Sequence, residues 1–182
     1  MKKLAALLLL TAAAAPAQPA TFNLGPHGSI TLYLLGDWEV DGTHFANRGS
    51  IQIKSRRSSV NAACNIGITF PPTDQFNTRA RLKMRVETDG YSLAEQSVER
   101  KAFAREFNLS TGFGFYCTFT DPDLRGRPPE KGNYKMMSAG KIRLAPDVLL
   151  DVSIMADDFR DEPYQQLLGA IEGMEFTAGS GG

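Results

Sequence analysis

The sequence predicts an α+β fold: one domain built on a largely antiparallel sheet flanked by helices, an α/β/α sandwich. Three observations carry this expectation. Short segments alternate apolar and polar residues with a period of two, and turn-forming residues separate them closely enough for antiparallel pairing. One late segment, "DEPYQQLLGAIEGMEF", instead places Tyr164, Leu167, Leu168, Ile171 and Met174 at helical intervals. At 182 residues, the chain has the length of one domain and can bury a core of its own.

The first stretch is set apart from that domain. "MKKLAALLLLTAAAAPAQPA" has two lysines, an apolar run from Leu4 to Leu10, and then small residues. Ala15 and Ala17 present small side chains where a signal peptidase reads them. This is the plan of a secretory signal peptide over residues 1–17, cleaved after Ala17. The apolar run is far shorter than the ~20 residues of a bilayer span, so no stable membrane insertion is expected after cleavage. No cysteine lies near the run to take a lipid anchor. The leader has a bacterial look, so a periplasmic address is expected, with secretion to the medium as the alternative. The domain is then expected over 18–176, with "TAGSGG" (177–182) as a flexible tail.

The elements follow in order. "SITLYLL" (29–35) alternates Ile30, Leu32 and Leu34 with other residues and reads as a strand. "DWEV" and "SIQIKS" read as two short strands around a glycine-containing turn. Residues 62–70 form a strand with Ala62, Cys64, Ile66, Ile68 and Phe70 on one side, ended by Pro71-Pro72. "RARLKMRVE" (79–87) alternates like a strand, but its residues are mostly strong helix formers with few β-branched ones. With Pro72, Thr73 and Asp74 as a start signal, a helix over roughly 74–90 is expected. "SVERKAFAREFNL" (97–109) spaces Phe103, Phe107 and Leu109 evenly and leads into a strand over 112–120. "NYKMMSAGKIRL" and "DVLLDVSIMA" are two more strands, broken at Ala145-Pro146. The last helix has Asp158 or Asp161 as its cap and Pro163 in its first turn.

The stretch "TGFGFYCTFTDPDL" (111–124) concentrates glycine, aromatic, cysteine and aspartate residues. Gly112 and Gly114 lack the third glycine and the following helix of a dinucleotide loop. Asp121 and Asp123 begin a D-x-D pattern, but Arg125 takes the next ligand position and Gly132 stands where a calcium loop needs glutamate. The reading is a strand running into an Asp-Pro turn and a long loop, "DLRGRPPEKGN". Phe113, Phe115, Cys117 and Phe119 share one face of that strand. An even cysteine count in an exported protein suggests a bridge, so a Cys64–Cys117 disulfide is expected, against two buried free thiols. It requires the two Cα atoms to lie within about 7 Å.

Charge narrows the partners. The chain holds 20 basic and 20 acidic residues, and loss of Lys2 and Lys3 leaves a net charge of −2. Nothing there favours a nucleic-acid partner, and the cluster "KSRRSS" reads as a solvated turn.

Catalytic patterns are thin. His27 and His44 lack metal-ligand spacing, although they can converge with Asp37 or Asp41 in space. Ser138 to Lys141 matches S-x-x-K and Ser59 to Asn61 matches S-x-N, but their order is reversed and K-T-G is absent. Asp157-Asp158 and Asp161-Glu162 are accounted for by the start of the last helix. No cofactor is implied.

The run "SVERKAFAREFNLSTGFGFYCTFTDPDL…GNYKMMSAGKIRLAPDVLLDVSIMADD", with its closing helix, resembles the PsbP-like α/β/α sandwich superfamily over about residues 30–176. The shared pattern is an aromatic-rich strand ending in Thr-Asp, a Tyr-Lys strand, a glycine before the next strand, and a late apolar strand before a short helix. The resemblance implies the sandwich fold and a leaning toward binding rather than catalysis. It transfers no functional residues. The function expected is therefore a non-catalytic module that binds another protein, of accessory or immunity type. Arg125 and Arg127 in the long loop, and Trp38, are the candidate partner-facing side chains. The alternative is a small-molecule or metal-dependent enzyme using His27 and His44.

Overall fold

The computed structural model describes residues 18–45, 48–72 and 75–179. The predicted leader (1–17) and Ser180–Gly182 lie outside these residues. Two antiparallel sheets and two helices make up the α+β domain. The strands are β1 (Gln18–Asn23), β2 (Ser29–Leu34), β3 (Trp38–Phe45), β4 (Arg48–Ser55), β5 (Ala63–Thr69), β6 (Arg105–Glu106), β7 (Phe113–Thr120), β8 (Met136–Ala145), β9 (Val148–Ala156) and β10 (Glu175–Thr177). The helices are α1 (Arg79–Gln96) and α2 (Glu162–Glu172). The large sheet has seven strands in the order β3-β4-β5-β9-β8-β7-β6, and the small one has three in the order β1-β2-β10.

Register explains the core. Ile51 pairs with Ile66, Ile66 with Val152, Val152 with Gly140, and Gly140 with Tyr116. One step along, Ile53, Cys64, Ile154 and Ser138 form the next row. Residues in one such row share a face, because side chains alternate along every strand. This face is buried against Ile30, Leu32 and Leu34 of β2 and against Tyr164, Leu167 and Ile171 of α2. The Tyr164 hydroxyl and the Ser138 hydroxyl hydrogen-bond at 2.8 Å beneath the helix.

The other face is only partly covered. There α1 packs on Phe115, Cys117 and Phe119 of β7 through Leu82, Val86 and Ala94. Leu82, Val86, Gly90 and Ala94 are the buried residues of the helix, spaced by four. This resolves "RARLKMRVE" in favour of the helix. A strand would have put Met84 on the same face as Leu82 and Val86, whereas Met84 is 63% exposed. The helix starts later than expected, with the Thr78 hydroxyl accepting from the Arg81 N–H, and it runs on to Gln96. Lys83–Glu87 and Arg85–Asp89 pair one turn apart on its outer side. Gly90 lets the helix approach closely: a Cβ there would lie 3.0 Å from the Phe119 ring and 3.2 Å from Ala102.

The small sheet contains the two strands that sequence patterning misses. β1 and β10 both pair with β2, one on each side. Thr177, expected in the tail, is a strand residue. The segment at 97–109 contributes only the two residues of β6.

The expected disulfide does not form: Cys64 and Cys117 are free and buried. Register gives the reason. Cys64 on β5 and Cys117 on β7 are separated by β9 and β8, so three strand spacings put them about 14 Å apart. Cys64 packs on the α2 face and Cys117 on the α1 face. Both strands do present an apolar side, as the alternation indicated, but the two sides are opposite. Burial pushes the Cys64 thiol up to about 12. Burial, with the Glu87 charge adding and Lys83 opposing, pushes Cys117 up to about 11.

Two outcomes follow. A thiol reagent should find no reactive cysteine in the native protein and two on unfolding. Above about pH 8.5 the unfolded chain loses its thiol protons while the folded chain keeps them. Stability should therefore fall as pH rises from about 8.5 toward the folded values. The loss is about 2 kcal/mol per thiol by pH 10, and a Cys64→Ala/Cys117→Ala variant measured by urea unfolding should lack it. Separately, a Cβ at Gly140 would lie 2.3 Å from the Phe115 carbonyl oxygen and 2.7 Å from the Tyr116 Cβ. Gly140→Ala should lower stability by about 3 kcal/mol in the same assay.

Candidate functional site

A cleft of about 680 Å³ opens where α1 ends beside β7, β8 and β9. Its floor comes from register: Phe119 pairs with Met137, and Met137 with Met155. Met136 and Leu93 complete the apolar lining, and Glu95, Arg100, Asp121, Asp123, Tyr134 and Lys135 stand around it.

Local chemistry holds the walls. Helix α1 ends at Ser97, whose backbone N–H and hydroxyl both donate to the Ala94 carbonyl. The chain then turns through Arg100 in the left-handed region, at φ 57°. A non-glycine residue there carries strain of about 1–2 kcal/mol. Two contacts hold the turn: the Arg100 guanidinium donates to the Glu95 carbonyl at 2.6 Å, and Glu99 is clamped onto the end of β7. Glu99 accepts from the Thr120 N–H at 2.8 Å and the Thr120 hydroxyl at 2.7 Å. Burial works to raise the Glu99 pKa, but hydrogen bonds, those from Thr120 foremost with its own backbone N–H and Ser97 adding, outweigh it and leave the carboxyl below its ordinary value.

The long loop, residues 121–135, forms the far side. It leaves and returns at one point, where the Asp121 N–H donates to the Lys135 carbonyl at 2.8 Å. Asn61 anchors it to the end of β5. The Asn61 amide donates to the Glu130 carbonyl and to Asp157, and its oxygen accepts from the Gly132 N–H. Arg125 and Arg127 are exposed on this loop, and Arg127 lines a smaller recess with Leu124, Pro128 and Pro129.

Beneath α1, Lys141 ties the helix to the sheet. Its ammonium pairs with Asp151 of β9 and lies 3.3 Å from Asp89 of α1. At the other end of α1, the buried Arg143 donates to the carbonyls of Gln75 and Pro146.

The remaining candidates are dispersed. His27 stacks on Phe70 at 3.9 Å between ring centroids and hydrogen-bonds Asp147 at 2.5 Å, away from the cleft. His44 lies on β3, opposite Gly49, and its side chain is outside the described residues. Asp37 sits 3.8 Å from Arg57. Among the described residues no three His, Cys, Asp or Glu side chains gather as a metal site. Ser138 and Lys141 point to opposite faces of β8, so the S-x-x-K match is split across the sheet. Trp38 is 7% exposed and donates its indole N–H to Gln166 of α2 at 3.1 Å, so its ring belongs to the core. Among the described residues no helix is long and apolar enough to cross a membrane.

Sequence reasoning set Asp121 and Asp123 aside as turn residues, and none of its partner-facing candidates, Arg125, Arg127 and Trp38, lines this cleft; it missed the floor too, because Met155 meets Met137 only through strand register. It also missed Asn61, whose partners lie about 70 or more positions along the chain. No protein-family model matches the chain, and no curated protein matches it in sequence.

The Glu99 clamp is testable. Its depressed pKa means its stabilisation is present above the ordinary carboxylate range and is lost as pH falls below about 4.5. Glu99→Gln should lower the urea midpoint at pH 7 and change it much less at pH 3.

Proposed function

We propose that this chain is an exported, non-catalytic protein-interaction module whose cleft at the end of α1 receives a segment of its partner. The observation that carries this reading is the lining of the cleft. Flexible methionine side chains beside Phe119 in the floor adapt to an apolar anchor, and a rim bearing both charge signs orients polar groups around it. Its volume falls within the range of clefts that enclose a ligand group.

The chemistry of the lining favours binding over catalysis. Among the described residues no histidine or cysteine lines the cleft. The hydroxyls of Ser97 and Thr120 donate to Ala94 and Glu99, and both bonds hold the wall itself. The two cysteines are buried with raised pKa values, the opposite of an activated nucleophile. Export rests on the leader pattern of residues 1–17. The resemblance to the PsbP-like superfamily points toward binding as well, and it rests on the sequence pattern alone.

The test is site-resolved crosslinking in the producing cells. A photocrosslinking amino acid at Leu93 or Tyr134 should capture one dominant protein. The same group at Met84, exposed on the outer side of α1, should not. Equal capture from Met84, or none from the cleft, would overturn the proposal.

A further inference from the structure

The seven-stranded sheet has two unlike edges. On one side β6 is only two residues long, and the chain around it closes the flank of β7. There the Val98 N–H donates to the Thr120 carbonyl at 3.0 Å and the Phe107 N–H to the Gly114 carbonyl at 2.9 Å. On the other side β3 runs for eight residues, in continuous register with β4 and without a bulge. Its only strand partner among the described residues is β4. In an antiparallel strand every second residue directs its N–H and C=O away from the partner, so the outer side of β3 presents a row of groups to which no described strand is paired.

Edges of this length are usually blunted by charged side chains, lysine above all, by proline, by a bulge or by a covering segment. β3 contains no proline and no lysine. Its charged residues, Glu39 and Asp41, are exposed and share one face with Thr43, and the exposed Gln52 and Lys54 stand behind them on β4. From Trp38 to Gly42 its opposite face is apolar: Trp38 is buried, Val40 packs on the core, and Phe22 of β1 lies under Gly42. A strand added at this edge would therefore meet acidic side chains on one face and apolar ones on the other.

That asymmetry selects the occupant. In its two longest registers, a second copy paired antiparallel through β3 with like faces together sets Asp41 opposite its own copy or one diagonal step from it. Like charges at such positions are destabilising, and opposite charges are favourable. We propose that the outer edge of β3 accepts an extended strand of a partner protein that carries Lys or Arg at alternate positions and apolar residues between them. Backbone hydrogen bonds supply the attachment and the two acids supply the register. This surface is separate from the cleft and does not depend on it.

The test uses the intact protein and three ten-residue synthetic peptides. The first alternates Lys with Val. The second has Glu in place of Lys. The third keeps the lysines but has Pro in place of Val, so that it carries the charge without being able to pair as a strand. Binding is read by fluorescence anisotropy and by amide hydrogen exchange. The Lys/Val peptide should bind and protect amides of β3, while the Lys/Pro and Glu/Val peptides should not. Glu39→Lys/Asp41→Lys should weaken the Lys/Val peptide about tenfold and gain the Glu/Val one. Equal binding of Lys/Val and Lys/Pro peptides would mean charge attraction alone and would overturn the proposal. So would no binding, protection outside β3, or a dimer in sedimentation that shields β3 in the free protein.

Discussion

The buried face of the seven-stranded sheet is the constraint from which the rest of the molecule follows. Rows of Ile51, Ile66 and Val152, and of Ile53, Cys64 and Ile154, run across three strands with no polar interruption. Each large aliphatic side chain buried in this way is worth about 1.5–3 kcal/mol, so the face must be covered along its length. Helix α2 covers part of it, and β2 with its two flanking strands covers more. Polar atoms enter only where they find partners, as Ser138 does with Tyr164. Trp38 of β3 belongs to the covered face, with its indole N–H satisfied by α2.

The opposite face carries a lighter demand, and its incomplete cover is what leaves surface for binding. Among the described residues, β7, β8 and β9 present the large apolar groups there, and α1 covers part of them. Toward β5 and β4 the same face turns polar, with Asn65, Gln52 and Lys54 exposed. Where α1 stops, the row Phe119, Met137 and Met155 continues past it, so the cleft is the stretch of apolar sheet the helix does not reach. The left-handed turn at Arg100 and the Glu99–Thr120 clamp keep that opening in shape.

The candidate site was less legible than the fold. Histidines, cysteines and paired acids attract attention in a sequence because their chemistry is local. Here His27 stacks on a phenylalanine, the thiols lie on opposite faces of a sheet, and Asp157 holds Asn61. The residues that do gather are methionines, a phenylalanine and a leucine, side chains that a sequence assigns to the core by default. Asn61 resembles any loop asparagine until its partners in the long loop and at the end of β9 are seen.

By itself the sequence determined what depends on near neighbours. Period-two alternation marks β2, β5, β7, β8 and β9, and the 3.6-residue period marks α2, because burial of one face is written into adjacent positions. Residue type was enough to make α1 a helix despite its alternating pattern, since unbranched side chains and one-turn ion pairs favour that backbone. Tertiary structure alone decided the rest. β1 and β10 exist because β2 offers each an edge, and neither carries a pattern strong enough to stand without it. The cysteines stay apart because strand order, which no local pattern encodes, puts two strands between them. The cleft and the open edge of β3 are likewise consequences of which strands lie side by side. Contacts between distant segments are chosen by the packing of the whole chain.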